Sequence, residues 1–445
     1  MNAMEQEHFE SFYPDATRSE EIDKILRFIK EGSSCQVLSL PGAGRTILFG
    51  LLTYNKHVRT KHLGESQKTI HFVVVNFSEV RKRPLTDVMK FLFLNLTESL
   101  RERGMVEENK VVGQKFREHL KFNDELVLFQ GFKEAIDYLA LEKKLTVVFL
   151  FDRFEEYVPS VSSEFFTNLR VLRNRAKYQF CVAFSLNRPL ETLLDPTLLA
   201  DFYEFVAGNF VYLKLYDKET TDFRVSQIEK ITGKKVPKNL LPEIITLTGG
   251  HGKLVKLSVE SLLARGKNEK NIGEFLLSQK LIKAALSEIW LSLSPSEQSD
   301  LREGKFEDQD ILEYLTSVGL LKDRKIQIPL FTEFIKTDLT SPVSQKQSIV
   351  YDPNTNSIKR GIVTLSDQLT ASEFRLLSYF LQHQERIVER EEIINVVWQE
   401  VKSTAGITDQ AVDQLVFRLR RKIEEDPNNP VHLQTVKGRG FKFIP

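Results

Sequence analysis

Two rhythms of apolar residues alternate along the N-terminal half of the chain. Short unbroken runs rich in β-branched and aromatic residues occur at 36–40 (QVLSL), 71–77 (HFVVVNF), 145–152 (LTVVFLFD) and 178–185 (YQFCVAFS). Runs this short, apolar on both alternating faces, predict buried strands. Between them, apolar residues three and four apart predict helices. One carries Ile22, Ile25, Leu26 and Ile29, opens at a T-x-x-E cap formed by Thr17 and Glu20, and stops at Gly32. Others span 84–100, 116–141 with weaker punctuation at Asn123, and 164–176. Strands alternating with helices predict a parallel α/β sheet. From about Asp217 the strand rhythm fades into helices at 217–233, 242–247 and 253–263, interrupted by Gly249, Gly250 and Gly252. Positions 281–336 read as three short helices and a hairpin, LLKDRKIQIPLF, which is a winged-helix pattern. The expected divisions are 12–210 for the α/β core, 211–278 for a helical lid, 279–340 for the middle winged helix and 341–358 for a polar linker. A compact segment occupies 359–445.

The turn after the first strand carries chemistry. Residues 39–46 read SLPGAGRT, against the phosphate-binding pattern G-x-x-x-x-G-K-[ST], whose glycine amides cradle phosphates at a helix N-terminus. Gly44 and Thr46 match, and Gly42 adds a second flexible position. Ser39 stands at the first glycine and Arg45 at the lysine. Arginine pairs with phosphate through its fork but is bulkier than a lysine point charge. Thr46 is the candidate hydroxyl ligand of Mg²⁺. Asp152, at the tip of the strongest strand, is the candidate carboxylate ligand. Glu155 and Glu156 just beyond it are candidates for polarising an attacking water. Arg188, past the next strand, is placed to sense a γ-phosphate, and His251, in the glycine cluster, to lie over a base or ribose. The cofactor implied is ATP or ADP with Mg²⁺. The competing reading is a P-loop fold kept as a scaffold, with Arg45 ion-paired to Asp152 or Glu155.

Taken in order, these motifs resemble the STAND branch of the AAA+-related P-loop ATPases, near the archaeal ATPase and origin-recognition types, over about 12–340. Arg18, Glu20 and Glu21 fit that family's entry motif; Asp152, Glu155 and Glu156 fit its Walker B acids; Arg188 fits its sensor. Thr248, Gly249, Gly250 and His251 fit its lid motif T-G-G-H-P, with Gly252 in place of the proline. The resemblance implies a three-layer nucleotide-binding core, a lid and a following winged helix. Arg45 and Gly252 both depart in the direction of weaker nucleotide contact, which leaves only residual ATPase activity in prospect.

The C-terminal segment has its own pattern. Thr370 and Glu373 form a capping box ahead of Phe374, Leu377 and Leu381. A second helix runs through 390–398. On a third, Val412, Leu415, Val416, Leu419 and Ile423 share one face, while Gln410, Asp413, Gln414, Phe417, Arg418 and Arg421 lie elsewhere. Two short strands around Lys437-Gly438-Arg439-Gly440 close the chain. From Gln414 onward there are seven Lys or Arg against three Asp or Glu, on the helix and hairpin that meet DNA in a winged helix-turn-helix. Gln410 and Gln414 have the donor–acceptor pair that reads adenine; Phe417 suits a thymine methyl or a protein contact; Arg418, Arg421, Lys422, Lys437 and Arg439 suit phosphates or the minor groove. The motifs L-T-x-x-E-F-x-L-L at 369–377, V-D-x-x-[IV]-x-R-L-R-x-K at 412–422 and T-V-[RK]-G-x-G-[FY] at 435–441 resemble the OmpR/PhoB-type DNA-binding domain of bacterial response regulators. That resemblance implies double-stranded DNA as the partner. The receiver domain of that family is not seen, so phospho-aspartate control is not expected.

Gross composition adds limits. The chain has 445 residues and a formal net charge of +1, so attraction to DNA must be local. Its two cysteines, Cys35 and Cys181, lie far apart without metal spacing. No apolar run approaches the length of a membrane span, and the N-terminus lacks a signal-peptide pattern, so a cytoplasmic protein is expected. The expected whole is a multidomain α/β plus α chain: a parallel-sheet P-loop NTPase core, a helical lid, a middle winged helix and a C-terminal winged helix-turn-helix. Its expected function is sequence-specific transcription regulation gated by nucleotide, with release or homo-oligomerisation of the DNA-binding domain as the switch. Two alternatives stay open: an origin-recognition-like or mobile-element initiator that loads proteins on DNA, and an ATPase signalling scaffold of the defence type.

Overall fold

A computed structural model of the chain describes residues 8–122, 124–265, 271–338, 349–352, 357–360, 363–384, 386–398, 409–424, 427, 430–436 and 438–444. The chain forms two compact units. The first holds the chain up to Gly233 apart from Leu40–Gly42 and Thr192–Asp195; the second holds those two stretches and everything from Lys234. The division falls inside the 211–278 segment expected as one helical lid.

The first unit is built on a five-stranded sheet of β1 (Cys35–Leu38), β2 (Ile70–Asn76), β3 (Thr146–Asp152), β4 (Phe180–Leu186) and β5 (Phe210–Tyr212), in the order β2-β3-β4-β1-β5. Every neighbouring pair is parallel. Parallel strands need helical crossovers, which cover both faces; that is why these strands are almost continuously apolar. β1, β3 and β4 are buried or nearly so along their length. The register sets Asn76 beside Asp152 and Val37 beside Ser185, so the strand tips that carry polar groups share one edge. Beneath that edge Phe77, Phe151, Phe154, Phe165 and Phe184 pack mostly edge-to-face or tilted, with Phe151 and Phe154 stacked and ring centroids 4.9–6.1 Å apart, geometries the ring quadrupoles favour.

Several local expectations change. Thr17 does not cap the first helix, Ser19–Lys30. Arg18 is its N-cap, in the left-handed region at φ 53°, and no side chain caps the end. The 116–141 stretch is two helices, Val106–Leu120 and Glu125–Asp137, the second capped by Asp124, whose carboxylate accepts from Val127 N at 3.0 Å. Strand β5 and the helix Lys56–Leu63 carried too little apolar periodicity to be expected. Both cysteines are free and lie in the core of this unit, Cys35 on β1 and Cys181 on β4. Burial pushes both thiols up, Cys181 to about 12.

In the second unit, helices Leu240–Thr248, Gly252–Arg265, Ile272–Ser278, Lys280–Leu291, Pro295–Glu303 and Gln309–Ser317 precede a short hairpin, β6 (Leu321–Lys322) with β7 (Lys325–Ile326). The hairpin is shorter than the sequence pattern predicts. Pro329 opens a further helix, Pro329–Asp338, a first-turn position that suits a residue with no N–H and a fixed φ. Part of the expected linker is a strand: β8 (Ile349–Asp352) joins β9 (Ser357–Arg360) and β10 (Val363–Thr364) in an antiparallel sheet. Positions 341–348 and 353–356 of that linker lie outside the described residues.

Three helices follow, Ala371–Gln382, Arg390–Val397 and Asp409–Ile423. A sheet of β11 (Ile387–Val388), β12 (Leu433–Val436) and β13 (Gly440–Phe443) completes the segment, in the order β11-β13-β12. The capping box is present: Glu373 N donates to Thr370 Oγ1 at 3.2 Å and Thr370 N to Glu373 Oε2 at 2.9 Å. Val412, Leu415, Val416, Leu419 and Ile423 are buried, as their spacing predicts. Among the described residues no helix is long and apolar enough to cross a membrane.

Candidate functional site

The glycine-rich turn ends at Gly44, with φ 115°, and the helix Arg45–Tyr54 begins at once. A side chain at Gly44 would be strained in that conformation. Arg18, buried at the base of the turn, fixes it. Its Nη2 donates to Ala43 O at 3.0 Å and its Nη1 to Lys214 O at 2.6 Å, with Glu21 Oε1 at 3.2 Å as counter-charge. These bonds account for the left-handed Arg18 that displaced the expected cap.

Around the turn the structure brings together four of the predicted side chains. Thr46 Oγ1 donates to Asp152 Oδ2 at 2.7 Å, and Ser185 Oγ donates to Asp152 Oδ1 at 3.0 Å. Arg45 Nη2 donates to Glu155 Oε1 at 2.6 Å. That pair is the one the scaffold reading expects. Burial pushes the Glu155 carboxyl up, and Arg45 draws it back toward the charged form. Arg45 Nη1 and Glu155 Oε2 are buried with no hydrogen-bond partner, so the pair spends only half of each fork. Glu156 is paired elsewhere, with Arg81 and with Arg153 at 3.4 Å. Arg188 is half-buried, two residues beyond the end of β4.

In the second unit, His251 is buried, and its Nε2 donates to Pro41 O at 2.8 Å while its Nδ1 faces Leu254 N at 3.4 Å. Lys253 N donates to Gly42 O at 3.1 Å. A Cβ on Gly42 would lie 2.9 Å from Lys253 Cβ and 3.0 Å from His251 Cε1, closer than packed atoms allow. His251 thus grips loop backbone.

The residues of the first unit fit a nucleotide phosphate and a hard cation. Thr46 and Asp152 offer two oxygens side by side, and Arg45 keeps an unused buried donor. Among the described residues no cluster of three or more His, Cys, Asp or Glu suits a metal. A cation held here would take Thr46 and Asp152 together with phosphate oxygens, as Mg²⁺ does in nucleotide sites.

On the third helix of the C-terminal segment, Gln410, Gln414, Phe417 and Arg421 are exposed. Phe417 is 45% accessible, unusual for phenylalanine on a helix with a well-buried opposite face. Arg439 is exposed at the tip of the β12–β13 turn, and Lys437 lies outside the described residues. Gly440, with φ 134°, brings the turn onto β11, where a Cβ would stand 2.1 Å from Val388 O. Arg418 and Lys422 are turned away from this face. Lys422 Nζ lies 2.5 Å from Glu373 Oε2, a carboxylate only 1% exposed, and 3.1 Å from Thr192 O. Arg418 lies 3.2 Å from Asp195 and 4.0 Å from Glu373.

Sequence reasoning missed two cations of this segment. Arg420 donates to Leu433 O and Thr435 Oγ1, both at 2.8 Å, and ties the helix to the wing. Arg390 pairs with Asp413 at 2.8 Å and lies 5.1 Å over the Phe441 ring. The cue for Arg420 was its place beside the buried stripe, between Leu419 and Ile423, where a guanidinium must find acceptors.

Residues 366–443 match the family model described as "Transcriptional regulatory protein, C terminal". Protein PetR of Rhodobacter capsulatus is 39% identical over 93 residues, 20% of this chain and 39% of that protein. The phosphate regulon transcriptional regulatory protein PhoB of Escherichia coli is 28% identical over 131 residues, 29% of this chain and 55% of that protein. The chain thus spans between two fifths and just over half of the length of these relatives. Among solved structures, the Walker-type ATPase PABY2304 of Pyrococcus abyssi superposes with a TM-score of 0.46 at 15% identity, covering 74% of this chain and 97% of that one. The capped first helix, the buried stripe of the third and the glycine-flanked wing lie within the matched residues, and the C-terminal part of this chain belongs to the transcriptional regulatory protein C-terminal family, of OmpR/PhoB type.

Proposed function

We propose that the chain is a DNA-binding transcription regulator whose C-terminal winged helix is gated by a nucleotide-binding P-loop module. The observation that carries this reading is the exposed Gln410–Gln414–Phe417–Arg421 stripe with the exposed Arg439 wing tip, on a domain of a regulator family. A helix of this kind enters the major groove while the wing meets backbone or minor groove. The partner is double-stranded DNA and the compartment the cytoplasm.

In the gate, the turn backbone, Gly42, Gly44 and Arg45 hold the phosphates of ATP or ADP. Thr46 and Asp152 hold Mg²⁺, which supplies charge neutralisation. Arg45, now paired with Glu155, would be the side chain that holds a phosphate. Glu155 and Glu156 are the acids positioned to polarise a water, but both are ion-paired, which favours holding nucleotide over turning it over. Arg188 senses the terminal phosphate, and His251 couples the loop tip to the helices that follow. The test is a gel shift of the full-length protein on genomic fragments across a salt series, with and without ATP or ADP. Retention of defined fragments, altered by nucleotide, is expected; no retention at any salt overturns the reading.

One observation favours a second reading. The Arg45 guanidinium is ion-paired to Glu155 within the protein, as it would be in a P-loop kept as a scaffold. Calorimetry with ADP separates the two, since a scaffold gives no heat of binding.

A further inference from the structure

The third helix of the C-terminal segment divides its polar residues between two tasks. Residues 410, 414, 417 and 421 follow at intervals of four, three and four, which is one face of an α-helix. That face spans roughly 16 Å, several base-pair steps of a duplex. Its N-terminal half, the part that docks deepest in a groove, carries two glutamines, and Phe417 follows them just past the middle of the helix. Its C-terminal end carries Arg421, which has no ion-pair partner among the described residues. The acid beside the stripe, Asp413, is neutralised by Arg390 at 2.8 Å.

The three other cations of the helix are committed elsewhere, Arg420 to Leu433 O and Thr435 Oγ1 of the wing. Lys422 and Arg418 lie 2.5 Å and 4.0 Å from Glu373, whose carboxylate is buried. Turning Lys422 outward would leave the Glu373 charge short of its partner, and turning Arg418 outward would do the same to the buried Asp195, 3.2 Å from it; both are unfavourable. Arginine and lysine are the side chains that read guanine by its two major-groove acceptors, whereas glutamine reads adenine and an apolar side chain reads the thymine methyl. The side chains left facing outward at the reading end are therefore of the adenine and thymine kind.

We propose that this helix reads an A·T-rich duplex through the major groove, with Gln410 and Gln414 on adenine edges and Phe417 on a thymine methyl, while Arg418 and Lys422 hold the helix to Glu373. The inference rests on the DNA-binding reading above and adds the base composition of the site. Phe417 is the specificity-determining residue, because an exposed ring on a DNA-facing surface is covered only by something apolar, and the methyl is the apolar group of the major groove.

The test uses the full-length protein and a pool of random duplexes at fixed salt. An A·T-rich consensus is expected. Replacing thymine by uracil in that consensus should weaken binding about fourfold, the worth of one buried methyl, and the loss should vanish in Phe417→Ala. Because Phe417 is half exposed, that variant should fold; Gln414→Ala is the companion, expected to lose about tenfold and to relax one position. Inosine·cytosine pairs keep the minor-groove pattern of A·T but present the major-groove pattern of G·C. They should bind at least tenfold more weakly. A G·C-rich consensus, equal binding of inosine-containing sites, or indifference to uracil overturns the proposal and leaves a DNA reader of another kind. Indifference to uracil together with unchanged affinity of Phe417→Ala assigns the ring to a protein partner instead. Absence of any selected sequence removes the DNA-binding reading itself, and this inference with it.

Discussion

At Arg45 the chain replaces a flexible ammonium with a planar fork, and Glu155 is where that fork finds its match. Lysine would offer one charge; arginine offers two parallel donors, of which Glu155 uses one. Under the proposed function, nucleotide would compete with a carboxylate already in place. Glu155→Gln should raise ADP affinity by about tenfold, since the charge-assisted bond that opposes binding is lost; calorimetry with ADP measures it. His71 makes a second residue-scale prediction. It is buried on β2 with Nε2 2.9 Å from Ser99 Oγ. Burial, then the Arg103 and Arg59 cations, lower its pKa to about 3. The folded-state value lies below the unfolded one, so the stability that goes with a neutral ring is complete above pH ~6.5 and is lost as pH falls toward the folded value. Acid titration of thermal unfolding should show a loss below that point in the wild type and a flatter profile in His71→Gln. Neither residue could be read fully in advance. Arg45 stood out because a motif predicted lysine there, and its partner was one of two carboxylates considered. His71 looked like one more position in an apolar run, because the chain does not display which cations will crowd a buried ring.

At the level of the element, legibility followed how much of the signal is local. The strands ending at Asn76, Asp152 and Leu186 were plain, because a run buried on both faces needs no information from elsewhere. β5 has three residues, only one of them fully buried, and depends on β1 for its pairing. The first helix misled because Arg18 is fixed by Ala43 O and Lys214 O, groups remote in sequence. The capping box at Thr370 held because both its bonds are local. Glu373 then does two jobs, closing that cap and anchoring Lys422; only the first was visible in the order of residues. Glu373→Gln should therefore cost far more than a cap worth about 1 kcal/mol, approaching the roughly 3 kcal/mol of a broken buried pair. Calorimetric unfolding of the full chain should show the loss. Arg418→Ala should likewise lower stability more than it changes the salt dependence of DNA binding.

For the whole molecule, near-zero net charge means that the proposed affinity for DNA must come from a few placed cations rather than from bulk attraction. Arg421→Ala and Arg439→Ala should each reduce the log–log salt slope of binding by about one; gel shifts between low and physiological salt measure it. If nucleotide and DNA are coupled, the coupling is reciprocal. Any factor by which ADP changes DNA affinity must reappear as the factor by which DNA changes ADP affinity, and titrating each ligand in the presence of the other checks the cycle. The two cysteines offer a practical handle on such measurements. Sealed among the strands of the first unit, with thiols pushed toward the protonated form, they are poor nucleophiles. The native chain is in effect chemically blank to maleimide dyes. A single cysteine introduced at Val431, which is 66% exposed, would be the one addressable sulfur, so a fluorophore can be placed near the wing without first stripping the protein of its own thiols.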